Sequence, residues 1–129
     1  MKLGSLLRNL VVPTLQINKN QLHYLSTKDF GRTGVVKNLE LQENEIKGID
    51  ADIFSIYRTT LKSLDLSSNL LTSLNGSVRY LSKLEVLKLK NNSLQVRKFF
   101  KCICIQNISA VVLLINFKRK GHENRYIYE

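Results

Sequence analysis

The stretch "LKSLDLSSNLL" at residues 61–71 places leucine at 61, 64, 66 and 71 and asparagine at 69. This spacing fits neither an amphipathic helix nor an alternating strand over its whole length. The same spacing of apolar residues and asparagine begins again at positions 12, 36 and 84, so successive copies start 24, 25 and 23 residues apart. Internal repetition at this period predicts a solenoid in which each repeat stacks on the next.

Each repeat contains a short segment that reads as a strand. In Leu64-Asp65-Leu66 the apolar side chains alternate with a polar one, so the two leucines would point into a core and Asp65 outward. One such strand buries little by itself, whereas strands from successive repeats can form a parallel sheet. We therefore expect parallel strands centred on Gln16, Glu40, Asp65 and Lys88, in that spatial order.

An asparagine occupies the ninth position of every copy. Where the chain turns out of the strand, buried backbone N–H and C=O groups lose their partners in the sheet. An asparagine side chain supplies both donors and an acceptor, so it can satisfy these groups. The predicted structural ladder consists of Asn20, Asn44, Asn69 and Asn92.

A second periodic column supports the same organisation and extends it. This column contains Phe30, Phe54, Val78 and Cys102, which are spaced by 24 residues and would fill the interior behind the sheet.

A fifth repeat is expected to start at position 108, with Val111, Leu113 and Asn116 in the repeat positions, but Lys118 replaces the last apolar residue. The expected division is a partial preceding repeat at 1–11, four repeats at 12–94, a degenerate fifth repeat within 95–117, and a basic polar tail at 118–129.

The pattern resembles the leucine-rich repeat family, whose consensus is LxxLxLxxNxL. Positions 12–94 match it closely and 95–116 loosely, and the 24-residue period with Phe at the back is similar to the extracellular type of Toll-like receptor ectodomains and related immune and adhesion proteins. The resemblance implies an α/β solenoid with short parallel strands on a concave sheet and irregular or short helical convex segments. It also implies a protein partner on the concave sheet and an extracellular or secreted location.

The outward columns of the predicted sheet supply the candidate binding residues. Acidic residues on the second and third strands, Glu40 and Asp65, are followed by basic residues on the fourth strand, Lys88 and Lys90. A surface that carries both signs of charge can recognise a complementary partner, although a merely solvated polar face has the same composition. The candidate partner-binding residues are Glu40, Gln42, Asp65, Ser67, Lys88 and Lys90.

The net charge of +10 lies mainly at the two ends of the chain. Residues 36–94 carry eight basic and seven acidic residues, whereas residues 95–129 carry seven basic and two acidic ones. A nucleic-acid site usually shows a basic stripe along one face, and the central repeats show none, so we predict no nucleic-acid partner.

No apolar run approaches the roughly 20 residues of a membrane-spanning helix. Arg8 interrupts the apolar N-terminal stretch, which argues against a signal peptide.

Two cysteines form the pair Cys102-x-Cys104 near the end of the array. In the family, such a pair opens a C-terminal cap that needs two later cysteines, and this chain has none, so that cap cannot form. A structural zinc site needs about four ligands, and His122 adds only one, so no metal is predicted. Cys102 is more simply a small buried side chain, and no cofactor is implied.

Three sequons for asparagine glycosylation begin at Asn75, Asn91 and Asn107. Asn75, followed by Gly76 on an expected turn, is the most plausible acceptor, although such tripeptides also arise by chance in a chain rich in Asn and Ser.

Catalysis has little support, because the neighbouring carboxylates Glu40 and Asp65 have no surrounding pocket and no nearby histidine. We predict that the protein is not an enzyme.

These observations favour a module that binds a protein partner on its sheet. Two alternatives remain open: a fragment of a longer receptor-like repeat protein without a function of its own, and a cytosolic scaffold, which the absence of disulfide pairs would suit. A solenoid exposes its core at both ends unless something covers it. Self-association through uncapped ends is therefore expected.

Overall fold

The computed structural model describes residues 12–30, 35–94, 112–119 and 122–128. Short strands recur once per repeat and are joined by turns, with little helix. The elements in chain order are β1 (Val12–Gln16), β2 (Tyr24–Leu25), α1 (Thr27–Phe30), β3 (Val36–Glu40), β4 (Gly48–Ile49), a 3-10 helix (Ser55–Tyr57), β5 (Ser63–Asp65), β6 (Val86–Lys88), β7 (Val112–Arg119) and β8 (His122–Tyr128). This arrangement is a parallel β-solenoid.

The main sheet contains one strand from each successive coil of the chain. Its order is β1-β3-β5-β6-β7-β8, and every pair from β1 to β7 is parallel. The register places Leu15, Leu39, Leu64 and Leu87 side by side across four strands. The prediction of parallel strands in the order of the repeats is therefore confirmed for the four copies at 12–94.

The leucine positions of the repeats form one continuous core behind the main sheet. In the three inner coils the leucines that flank Glu40, Asp65 and Lys88 are fully buried, whereas those three residues themselves are only partly covered. Phe54 and Val78 of the second periodic column are also fully buried, and Tyr57 joins them. Cys102 of that column lies outside the described residues.

Each asparagine turn of the described repeats begins with a residue in the left-handed conformation. Lys19, Glu43, Ser68 and Asn91 have φ between 56° and 57°, and each directly precedes a ladder asparagine. This conformation costs an L-residue energy, because its Cβ approaches the carbonyl oxygen. The same turn conformation nevertheless recurs in all four coils, immediately before the asparagine.

The convex segments of the described coils are mostly irregular and contain little helix. Between successive strands of the main sheet, the described residues form one four-residue helix and one three-residue 3-10 helix. The first two coils also share a small parallel sheet, in which Tyr24 pairs with Gly48 and Leu25 with Ile49. A period of 23 to 25 residues must accommodate a strand, the asparagine turn and the return path, so little more than one helical turn fits in between.

The far end of the main sheet differs from the extrapolated fifth repeat. The expected register placed Val111 beside Leu87, but the structure pairs Leu87 with Leu113, a shift of two residues. Asn116 lies within β7 and pairs with Arg125 of β8, instead of starting an asparagine turn. The segment expected to be a polar tail contains β8, which runs antiparallel to β7 and follows it at the edge of the sheet. The Tyr126-Ile127-Tyr128 run has high strand propensity, which the average polarity of the segment conceals.

Candidate functional site

The outward side of the main sheet carries two polar columns, which we call the polar face. The first column contains Gln16, Glu40, Asp65 and Lys88, which pair directly across β1, β3, β5 and β6. The second contains Asn18, Gln42, Ser67 and Lys90, two residues further along each coil. Neighbouring members of the first column are separated by the strand spacing, about 4.8 Å. Residues 23 to 25 positions apart in the chain thus become direct neighbours.

The charges on the polar face are not neutralised by ion pairs. Between residues 12 and 94, excluding 31–34, the single contact of salt-bridge length joins Nε2 of His23 to Glu45, away from the main sheet, and it is an ion pair only when His23 is protonated. Glu40, Asp65 and Lys88 therefore lie in one column without a salt bridge among them. Each is only partly exposed, so their charges are held close to the sheet and remain accessible to a partner.

Two of the predicted binding residues are constrained by their surroundings. An oxygen of Asp65 accepts a hydrogen bond from the backbone N–H of Ser67 at 2.9 Å, which fixes the carboxylate at the end of its strand. The side-chain oxygen of Gln42 is buried and has no hydrogen-bond partner. Gln42 can therefore offer a partner its amide nitrogen more readily than its oxygen.

A third column on the same side of the sheet was missed by the sequence reasoning. Thr14, Asn38, Ser63 and Val86 pair across the four strands, and the side-chain nitrogen of Asn38 donates to the hydroxyl of Thr14 at 3.2 Å. These residues precede the first column by two positions, so strand alternation alone could have identified them. They extend the polar face toward the beginning of each strand.

The asparagine ladder lies beneath the end of the polar face and holds its turns. Asn44, Asn69 and Asn92 are buried, whereas Asn20, in the first described coil, is exposed. The side-chain nitrogen of Asn69 donates to the carbonyls of Leu41, Leu66 and Ser67 at 3.0 to 3.2 Å. Each of the three buried asparagines bonds the backbone of its own coil and of the coil before it.

The sequons lie in different environments. Asn75 has a positive φ of 52°, and its side-chain nitrogen donates to the carbonyl of Ile49 at 3.2 Å. The hydroxyl of Ser77, the third residue of that sequon, is buried without a hydrogen-bond partner. Asn91 is exposed at the turn beside the polar face, where its nitrogen donates to the Ser68 hydroxyl at 3.3 Å. Asn107, like Cys104, lies outside the described residues.

Perturbed side-chain chemistry occurs away from the polar face, beside the small sheet. The hydroxyl of Tyr24 donates to Asp50 at 2.7 Å, and this hydrogen bond raises the pKa of Tyr24. The backbone N–H of Thr27 donates to the other Asp50 oxygen at 2.9 Å, and this bond, followed by that from Tyr24, lowers the pKa of Asp50. The pair lies on the surface and connects the first two coils.

The described part of the chain holds neither a metal-binding cluster nor a membrane-spanning helix. No three His, Cys, Asp or Glu side chains within 12–30, 35–94, 112–119 and 122–128 gather into a group that could hold a metal ion. In the same ranges, no helix is long and apolar enough to cross a membrane. A scan against protein-family models and a search of curated proteins each find no match for this chain.

Proposed function

We propose that this chain is a leucine-rich repeat module that binds a protein partner through the polar face. The observation that carries the proposal is the first column, in which Glu40, Asp65 and Lys88 come from three different repeats, pair in register and form no ion pair. The polar contacts come from Glu40, Gln42, Asp65, Ser67, Lys88 and Lys90. The repeat spacing supports the family assignment, and the parallel sheet is the architecture that this family would have.

The charge arrangement defines what the partner must offer. An acidic half of the face, on β3 and β5, lies beside a basic half that begins with Lys88 on β6. A partner with the opposite order of charges would gain from both halves, and a partner with one sign of charge would be repelled by one of them. Few aromatic side chains lie on this face, so the binding energy would be spread over polar contacts instead of one anchor.

Site-specific crosslinking gives a direct test of the binding face. A photoreactive amino acid at Ser67 lies on the polar face, whereas the same group at Ser55 lies in the 3-10 helix on the other side of the core. We expect a protein to be crosslinked from position 67 and not from position 55. Equal crosslinking from both positions would contradict a specific polar face.

Charge reversal then tests the chemistry with the crosslinked partner. The triple variant Glu40→Lys, Asp65→Lys, Lys88→Glu should abolish binding and leave the circular dichroism spectrum unchanged. The matched control Glu45→Lys, Asp52→Lys, Lys47→Glu makes the same change in net charge at three exposed positions outside the polar face. Binding that survives in the first variant, or is lost equally in both, would argue against the polar face.

The resemblance also supports an extracellular or secreted location, in which the sequons could carry glycans. Of the two described sequons, Asn91 lies at an exposed turn next to Ser68 and is the acceptor that a glycan could reach with less disturbance of the fold than Asn75. Expression through the secretory pathway should then give a mass that falls on glycosidase treatment and is lower in Asn91→Gln. A chain without glycans and retained in the cytosol would favour the scaffold alternative.

A further inference from the structure

A second surface lies where the chain enters the strands of the main sheet. An open groove of about 410 Å³ is formed there by residues from three successive coils. Its volume lies within the range of roughly 300–1,000 Å³ that is usual for small-molecule sites. The lining residues are Val35, Lys37, Thr59, Thr60, Lys62, Lys83 and Glu85.

The groove is basic because two repeat positions converge on it. Lys37 and Lys62 are the second residues of their repeats and directly precede the paired residues Asn38 and Ser63, so they lie at the starts of two adjacent strands. Lys83 immediately precedes the fourth repeat and brings a third ammonium group to the same groove. Three lysines and the single acid Glu85 leave a net charge of +2.

The lysines of the groove have no charged partner in the described part of the chain. In the described ranges the only contact of salt-bridge length joins His23 to Glu45, and Lys37, Lys62 and Lys83 are all exposed. Like charges on adjacent strands repel one another, so an anion that bridges them would be favoured by two attractions and by relief of that repulsion. The arrangement suits a group with several oxygens and more than one negative charge.

We propose that this groove binds a small soluble molecule carrying phosphate groups. A phosphate lies between Lys37 and Lys62, a second phosphate reaches Lys83, and an uncharged part of the ligand packs on Val35, which is 43% exposed. This site is separate from the polar face, and its ligand does not depend on the protein partner.

Thr60 supplies an independent feature of the same site. Its hydroxyl oxygen is buried and has no hydrogen-bond partner, although the residue lines the groove. A buried hydroxyl without a partner is unfavourable. In the complex with a phosphate we expect the Thr60 side chain to rotate about its Cα–Cβ bond and to donate its hydroxyl to a phosphate oxygen.

Titration calorimetry with inorganic pyrophosphate tests the site, using the full chain at fixed ionic strength. The unmodified protein should bind pyrophosphate saturably, and Lys37→Ala/Lys62→Ala should weaken binding by about tenfold or more, because two charge-assisted contacts are lost. The control Lys28→Ala/Lys47→Ala removes the same charge from exposed positions elsewhere and should change the affinity by no more than about twofold. An equal loss in the two double variants, or no saturable binding by the unmodified protein, would overturn the proposal.

Two further measurements locate the ligand and distinguish its source. Pyrophosphate should shift the backbone amide resonances of residues 59–62 and 83–85, and Thr60→Val should bind it less tightly without losing stability. Shifts confined to other coils would overturn the assignment.

Flotation on vesicles of phosphatidylcholine and phosphatidic acid should not depend on Lys37 and Lys62. Vesicle binding that requires both lysines, without pyrophosphate binding, would place the phosphate on a lipid and contradict a soluble ligand.

Discussion

The backbone N–H of Asn20 donates to the side-chain oxygen of Asn44 at 3.0 Å, across 24 residues of sequence. The side chain of Asn20 instead donates to the carbonyl of Asn18 in its own coil. In the next coil the hydrogen bond again runs from the backbone of the earlier coil to the asparagine of the later one, since the side-chain oxygen of Asn69 accepts from the N–H of Ile46. Each inner asparagine thus fastens its own turn to the coil before it, and the side chains do not bond one another.

The ladder predicts a difference between two asparagines in the same repeat position. Asn69→Ala should lower the free energy of unfolding by about 1–3 kcal/mol, because it leaves buried carbonyls and the N–H of Ile46 without partners. Asn20→Ala is the matched control, because Asn20 is exposed and its described side-chain bond stays within its coil. Urea denaturation measures both, and equal effects would show that the cross-coil bonds are unimportant.

Substitutions at the first and third residues of the sequon, Asn75 and Ser77, should change the stability of the fold in opposite directions. Ser77→Ala should leave stability unchanged or raise it by up to about 1 kcal/mol, because the buried hydroxyl has no partner. Asn75→Ala removes the hydrogen bond to the carbonyl of Ile49 and places alanine at a positive φ. We expect this substitution to lower the free energy of unfolding by about 1 kcal/mol or more. Thermal denaturation that ranks Ser77→Ala below Asn75→Ala in stability would contradict both assignments.

Gly48 predicts a coupling between the first two coils. A Cβ at this position would lie 2.5 Å from a ring carbon of Tyr24, closer than any real contact. Gly48→Ala should therefore displace the ring, break the hydrogen bond from Tyr24 to Asp50 and lower stability. In a Tyr24→Ala background the same substitution should have little effect, because the clash is gone. A double-mutant cycle measures the difference, and additive effects would rule out the contact.

The lowered pKa of Asp50 predicts a dependence of stability on acid. The folded state binds the Asp50 proton less tightly than the unfolded chain does, so the group stabilises the fold at pH values above the ordinary aspartate pKa of 3.8. This contribution should be lost as the pH falls from that value through the lower pKa of the folded state. Asp50→Asn should flatten this part of the stability curve, whereas Asp52→Asn, two residues away, should not. The measurement is urea unfolding between neutral and acidic pH, and identical curves for the two variants would be inconsistent with the hydrogen bonds at Asp50.

The order of the coils predicts a gradient of hydrogen exchange. The N–H groups of Leu41 and Leu66 donate to Asp65 and Lys88 of the following coils at 2.8 and 2.9 Å, and both leucines are fully buried. The N–H of Ile17 donates in the same way to the carbonyl of Glu40. Ile17, however, directly follows β1, which is the edge strand of the described sheet. We expect slower exchange at Leu41 and Leu66 than at Ile17, because edge structure opens more easily. Uniform protection would indicate that β1 is covered, for example by self-association.

The sequence by itself determined the parts of the fold that repeat. The spacing of Leu61, Leu64, Leu66 and Asn69 predicts a strand, its inward side and a turn, because each property depends on local alternation and on the donors and acceptors of one side chain. Four copies in register then predict the order of β1, β3, β5 and β6, since stacking is the one way to bury all the leucines. The first polar column follows from the same register.

Only the tertiary structure decided the features that depend on contacts between coils. The groove brings together Lys37, Lys62 and Lys83, whose positive charges do not stand out in the sequence because residues 36–94 carry eight basic and seven acidic residues in total. The contact of Tyr24 with Gly48 depends on the small second sheet, which has no strong repeat signal. The register of β7 is set by pairing with β6 and β8. Such long-range pairings are chosen by the backbone hydrogen bonds of the whole sheet, which a local pattern does not specify.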